Sequence, residues 1–155
     1  MQLTLEPERF SLSLVNATLR YRVRLGNISA DALGPITLSA DMTAAHASVP
    51  ADRQLGRDGA AIKPLHYCSG LAAGESAEFS GDLRLPLAAI APIRSGNAAL
   101  LVPLVRLRIE TGDQSLTRAL VIGEPPLHPG GGLRPFRLDQ GPRIFAEVAQ
   151  RELAA

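Results

Sequence analysis

Tryptophan is absent, and cysteine and lysine each occur once, as Cys68 and Lys63. A single cysteine rules out an intrachain disulfide, so the fold does not depend on an oxidising compartment. Aromatic residues make up only 4% of the chain, which leaves the core to Leu, Val, Ile and Ala. With one lysine, fifteen of the sixteen basic residues are arginine, which reads first as the codon bias of a GC-rich genome. Neither sign of charge dominates. A net charge of +1 is too balanced to mark a nucleic-acid or anionic-membrane binder on its own. No run of about 18 apolar residues is present, the length a membrane-crossing helix requires. Met1 to Phe10 carries acids among its apolar residues and does not read as a signal peptide.

What is present points to many short strands. The 155 residues include 14 Gly and 12 Pro, frequent punctuation for one domain with appendages. Leu19, Tyr21, Val23 and Leu25 alternate with Thr18, Arg20, Arg22 and Arg24, the period-two signature of a half-buried strand. Ile36 to Met42 and Ser76 to Leu85 alternate in the same way. Met1 to Leu5 and Phe10 to Leu14 read as weaker strand segments broken at Pro7. Ala98 to Thr111 is nearly continuously apolar, which suits a central strand covered on both faces. Gly112-Asp113 then predicts a hairpin to Gln114–Ile122. Ala44 to Ala61 is a long connection, unusual in a compact domain unless it has a role. Leu87 to Ile90 predicts a single helical turn. The expected fold is all-β: an immunoglobulin-like antiparallel β-sandwich of about seven strands over residues 1–123. A Pro/Gly linker over 124–132 leads to a C-terminal extension, 133–155, of one strand and a short helix. In that helix Pro142 opens the first turn, and Phe145, Val148 and Ala149 form an apolar stripe.

The chemistry-bearing residues do not assemble into a known site. Met42, His46, His66 and Cys68 hint at copper, but no His or Met follows Cys68 closely enough, and His66 with Cys68 supplies only two ligands. There is no Gly-x-Ser-x-Gly elbow, and His66 is the only local base for Cys68. Glu75, Glu78 and Asp82 sit on or near an exposed strand face rather than in a cleft. Gly130-Gly131-Gly132 lacks the lysine and helix of a phosphate loop. The sequence therefore implies no catalytic or metal residues, no cofactor and no enzyme.

Two features remain as a candidate interaction surface. The first is the ladder Arg20, Arg22 and Arg24. One reading is a polyanion-binding stripe. The other follows from immunoglobulin-like pairing, in which the second and fifth strands are neighbours, so that Glu78 and Asp82 lie opposite the arginines as cross-strand ion pairs. The second feature is the C-terminal block with Phe136, Arg137, Arg143 and Phe145, half of the chain's phenylalanines. It either packs back over a sheet edge or docks on another protein or a second copy of the chain.

Asn16-Ala17-Thr18-Leu19-Arg20-Tyr21 with Leu25-Gly26-Asn27 resembles the second strand of bacterial immunoglobulin-like domains. Pro135-Phe136-Arg137-Leu138-Asp139, Gly141-Pro142-Arg143, Gln150-Arg151 and Asn97 to Val105 resemble segments of uncharacterised alphaproteobacterial membrane-anchored proteins with a C-terminal immunoglobulin-like domain. The resemblance implies a domain tethered through an N-terminal anchor lying outside these residues, on a side of the membrane it does not specify. It carries no assigned activity. The expected function is a non-catalytic interaction or scaffolding module of the bacterial cell envelope, with no nucleic-acid partner. The alternative is a module for an anionic lipid or glycan that uses the basic strand face together with the 44–61 loop.

Overall fold

The computed structural model describes residues 1–59 and 61–153. Ala60 in the long connection and Ala154 and Ala155 at the end of the extension lie outside the described residues. Two antiparallel sheets enclose one core. The first is built around β1 (Gln2–Leu12), β2 (Asn16–Gly26) and β5 (Ser76–Pro86). The second contains β3 (Ile36–Ala44), β4 (Pro64–Cys68), β8 (Pro103–Thr111) and β9 (Gln114–Gly123), in the order β9-β8-β3-β4. Leu19, Tyr21, Val23 and Leu25 point in from β2, and Ile36, Leu38, Val105, Leu107, Ile109 and Ile122 point in from the opposite sheet. The period-two spacing makes this possible, because alternate residues of a strand share a face. A few rings suffice for the core, as the composition requires.

β8 is the middle strand of its sheet, in keeping with its apolar run. That run is not one strand, however. It bends at Val102, dividing β7 (Ala98–Leu101) from β8, and the Val102 carbonyl accepts from the Ala45 amide instead of a ladder neighbour. β7 pairs with β6 (Ile93–Ser95) and β10 (Phe136–Arg137) in a small separate sheet. The two segments before and after Pro7 form a single strand, because a bulge between Pro7 and Arg9 absorbs the irregularity. Gly112 has φ 59°, the left-handed conformation the β8–β9 hairpin needs. A 3-10 turn occupies Leu87–Ala89, within the predicted helical turn.

The long connection carries α1 (Ala51–Gln54) and is held against the outer face of the second sheet. Arg106 reaches outward from β8, grips both carboxylate oxygens of Asp41 on β3, and donates to the Arg53 carbonyl at 2.9 Å. Arg108 donates to the Gly56 carbonyl at 3.1 Å. Ile62 and Leu104 are buried beneath this loop.

The expected helix after Pro142 is not formed. Arg143–Phe145 is strand β11, and Ala149–Glu152 is strand β12. The physical reason is that open sheet edges offer backbone partners that an isolated helical turn lacks. β11 pairs with β1 from Phe10 to Leu12, and β12 pairs with β9 from Leu120 to Gly123. The first sheet is thus β11-β1-β2-β5 and the second β12-β9-β8-β3-β4. Between sandwich and extension, the Glu124 and Arg134 backbones bridge each other, so residues 124–134 leave and return to the same point.

Candidate interaction surface

The outer face of the first sheet is an array of polar side chains, and its rows follow from strand register. Arg20 lies opposite Asp82, Arg22 opposite Ser80, and Arg24 opposite Glu78. On the other side of β2, Arg9, Glu6 and Thr4 face Arg20, Arg22 and Arg24 in turn. The strand neighbours expected for the ladder are present, but only one of the ion pairs expected with Glu78 and Asp82 forms among the described residues, since Arg24 and Glu78 face each other without one. Arg20 pairs with Asp82 at 3.7 Å, but Arg22 pairs with Glu6 on β1 at 3.0 Å, a partner that alternation within β2 and β5 does not reveal. Each pair is solvent-exposed and contributes about 0–1 kcal/mol, so these charges shape a surface more than they hold the fold. Arg84 faces Thr18 and has no ion pair among the described residues.

The C-terminal candidates are placed differently. Phe136 and Phe145 are in the core, at 0% and 5% exposure, and form a three-ring cluster with Phe10. Buried rings present no surface, so these two leave the candidate interaction set. Arg143 is exposed but lies over the Phe145 ring at 4.7 Å. Arg137 makes a bidentate pair with Asp139. That guanidinium, together with the Ala99 amide, holds the Asp139 carboxyl well below the usual carboxylate range.

The basic ladder and the 44–61 loop do not form one site. The arginines cover the outer face of the first sheet, and the loop covers the outer face of the second. The two are separated by the thickness of both sheets, about 10 Å of core plus the side chains beyond it, so they do not line one pocket. A groove of about 360 Å³ beside the loop is lined by Thr43, His46, Arg53, Leu85 and Arg106 among others. Two of its polar groups are already engaged, Arg106 with Asp41 and His46 Nδ1 with the Ser48 hydroxyl at 2.7 Å.

The two sheets meet at the β4–β5 side through a contact that sequence reasoning did not identify. The Tyr21 hydroxyl and His66 Nε2 share a 2.7 Å hydrogen bond, and the His66 ring stacks on Phe79 at 4.9 Å. Gly81 makes room for the phenol, since a Cβ there would stand 2.8 Å from the Tyr21 oxygen. A glycine inside an otherwise alternating strand is the one signal that could have disclosed it. Burial pushes the phenol up, aided by the Asp82 charge, and burial holds the imidazole below its ordinary value. Both groups are thus neutral, and Tyr21 is 1% exposed, so the pair ties sheets together rather than meeting a substrate.

A pH dependence follows. A depressed folded-state value means that the unfolded chain binds the proton more readily. The His66 contribution is therefore fully present above the ordinary 6.5 and is lost as pH falls through the lowered value. The melting temperature should drop between about pH 7.5 and pH 5, and part of that drop should vanish in His66→Gln. An identical pH profile in the variant would remove His66 from the account.

The thiol of Cys68 donates to the Gly70 carbonyl at 3.2 Å, and no cluster of three or more potential metal ligands occurs among the described residues. No helix among them is long and apolar enough to cross a membrane. No protein-family model matches the chain, and neither a curated protein nor a solved structure matches it.

Proposed function

We propose that this chain is a non-catalytic protein-interaction or scaffolding module of the bacterial cell envelope, working through the β5 side of its first sheet. One observation carries the reading. The extension adds strands against Phe10–Leu12 of β1 and Leu120–Gly123 of β9, while β5 stands unpaired along its whole outer edge beside a charged face. A sheet so arranged presents both backbone groups and side-chain charges to a partner on one side only. The β1-β2-β5 and β9-β8-β3-β4 order supports an immunoglobulin-like identity, because it repeats the A-B-E and G-F-C-C′ neighbours of that architecture. The envelope location and the tether rest on the resemblance of the Asn16–Asn27 and Pro135–Arg151 segments.

The test uses photo-crosslinking amino acids placed singly at Thr18 and Ser80 on the outer face, and at Ser48 on the opposite loop, in the full chain expressed in bacteria. Protein adducts are expected from Thr18 and Ser80 and not from Ser48. Absence of adducts at the first two positions, or equal adducts at all three, would contradict the reading. Salt-sensitive sedimentation with anionic vesicles, without protein adducts, would replace it with a lipid function.

A further inference from the structure

Soluble β-proteins protect their sheet edges, and here the protection is uneven. β1 is bulged between Pro7 and Arg9 and paired with β11 over Phe10–Leu12, and β9 is paired with β12 over Leu120–Gly123. β4 has five residues, begins at Pro64 and pairs through an irregular register. β5 has eleven residues, runs against β2 without a register shift, and carries no strand on its other side among the described residues. Among the described residues no backbone hydrogen bond from turns or loops reaches Ser76–Pro86 there either. Such an edge is a template for one more strand.

The sequence of β5 says which strand fits. We infer that a second copy of this chain pairs antiparallel with β5 about a two-fold axis at Gly81, joining two four-stranded sheets into one. In that register Glu78 of each copy lies opposite Arg84 of the other, Phe79 opposite Leu83, and Ser80 opposite Asp82. Both members of every pair come from the same side of the strand, so outer faces meet outer faces. Sliding the axis to Ser80 sets Glu78 against Asp82, and sliding it to Asp82 sets that carboxylate against its own copy. Like charges directly opposite are unfavourable, so charge selects the Gly81 register from its neighbours. Glu78 and Arg84 are exposed, and neither has an ion pair within its own chain among the described residues. The pairing adds about ten backbone hydrogen bonds, alternating along the strand as antiparallel ladders do.

This inference rests on the interaction-module reading but fails separately from it. Sedimentation velocity of the full chain from about 10 µM to about 1 mM covers the affinity range expected of a strand-pair contact. A concentration-dependent dimer is expected. Glu78→Arg and Arg84→Glu should each weaken it at least about tenfold, since each variant creates two like-charge contacts. Mixing the two single variants should restore a heterodimer, because every facing pair is then of opposite charge. That rescue cannot arise from damage to the fold. A chain that stays monomeric throughout, or a dimer indifferent to both substitutions, overturns the self-pairing. Crosslinked adducts to other proteins at Thr18 and Ser80 would still uphold the broader reading.

Discussion

Phe136→Ala is expected to destabilise the domain by about 3–5 kcal/mol, the usual range for removing a buried phenylalanine. Against a typical total of about 5–15 kcal/mol, this is a large share. The ring is fully buried, stacks on Phe10 at 4.1 Å and meets Phe145 edge-on at 4.8 Å. Its strand, β10, also supplies the β7 edge. The substitution therefore empties a site that binds the extension to the sandwich. Ile144→Ala, one residue from Phe145 but 66% exposed, should change stability by no more than about 0.5 kcal/mol. Thermal unfolding of both variants gives the comparison. Ending the chain at Gly130 should be worse than either, because it removes β10, β11 and β12 together. A truncated chain that melts cooperatively at the full-length temperature would show the extension to be an accessory.

Asp41→Ala is the second large effect. It leaves the Arg106 guanidinium, whose side chain is 11% exposed, without its carboxylate. Breaking a buried ion pair costs about 3–5 kcal/mol, and the partial exposure of Asp41 reduces the expectation here to about 2–3 kcal/mol. The same guanidinium holds the Arg53 carbonyl, so the 44–61 loop should loosen as well. Replacing both partners, as Asp41→Leu with Arg106→Leu, separates the two consequences. A hydrophobic pair of similar size often recovers most of the stability, but it offers nothing to the loop carbonyl. The double variant should melt near the wild-type temperature while proteases cleave the loop faster. Slow cleavage in that variant would mean that the loop is held by its apolar contacts instead.

The strands that bury one face were legible because their side chains must alternate. Asn16–Gly26, Ile36–Ala44 and Ser76–Pro86 all start or stop within two residues of the alternating segments, and Gln114–Gly123 follows the Gly112-Asp113 turn that predicts it. That Glu78 and Asp82 lie across from the arginines followed from the same pattern, once the second and fifth strands were taken as neighbours, but the pair-by-pair register did not. The extension was not legible. Phe145, Val148 and Ala149 do have helical spacing, but a segment this short takes its conformation from the edges it meets, and those edges come from β1, more than a hundred positions upstream, and from β9, about thirty positions upstream. For the same reason Phe136 and Phe145 resembled exposed anchors. Nothing local shows that Phe10 waits for them. The Tyr21–His66 bond joins residues forty-five positions apart on opposite sheets, and only Gly81 marks it in the sequence.

The extension adds strands to one end of β1 and one end of β9 and leaves the outer edge of β5 open. Amide hydrogen exchange resolved to single residues, followed as the protein is concentrated, tests this directly. In dilute solution the amides of Phe10–Leu12 and Leu120–Gly123 should be protected. Alternate amides of Ser76–Pro86, those facing away from β2, should exchange freely. On concentration those same β5 amides should become protected while the others do not change. Unprotected amides on the β11-facing side of Phe10–Leu12 or the β12-facing side of Leu120–Gly123, or β5 amides equally protected at every concentration, would contradict the account.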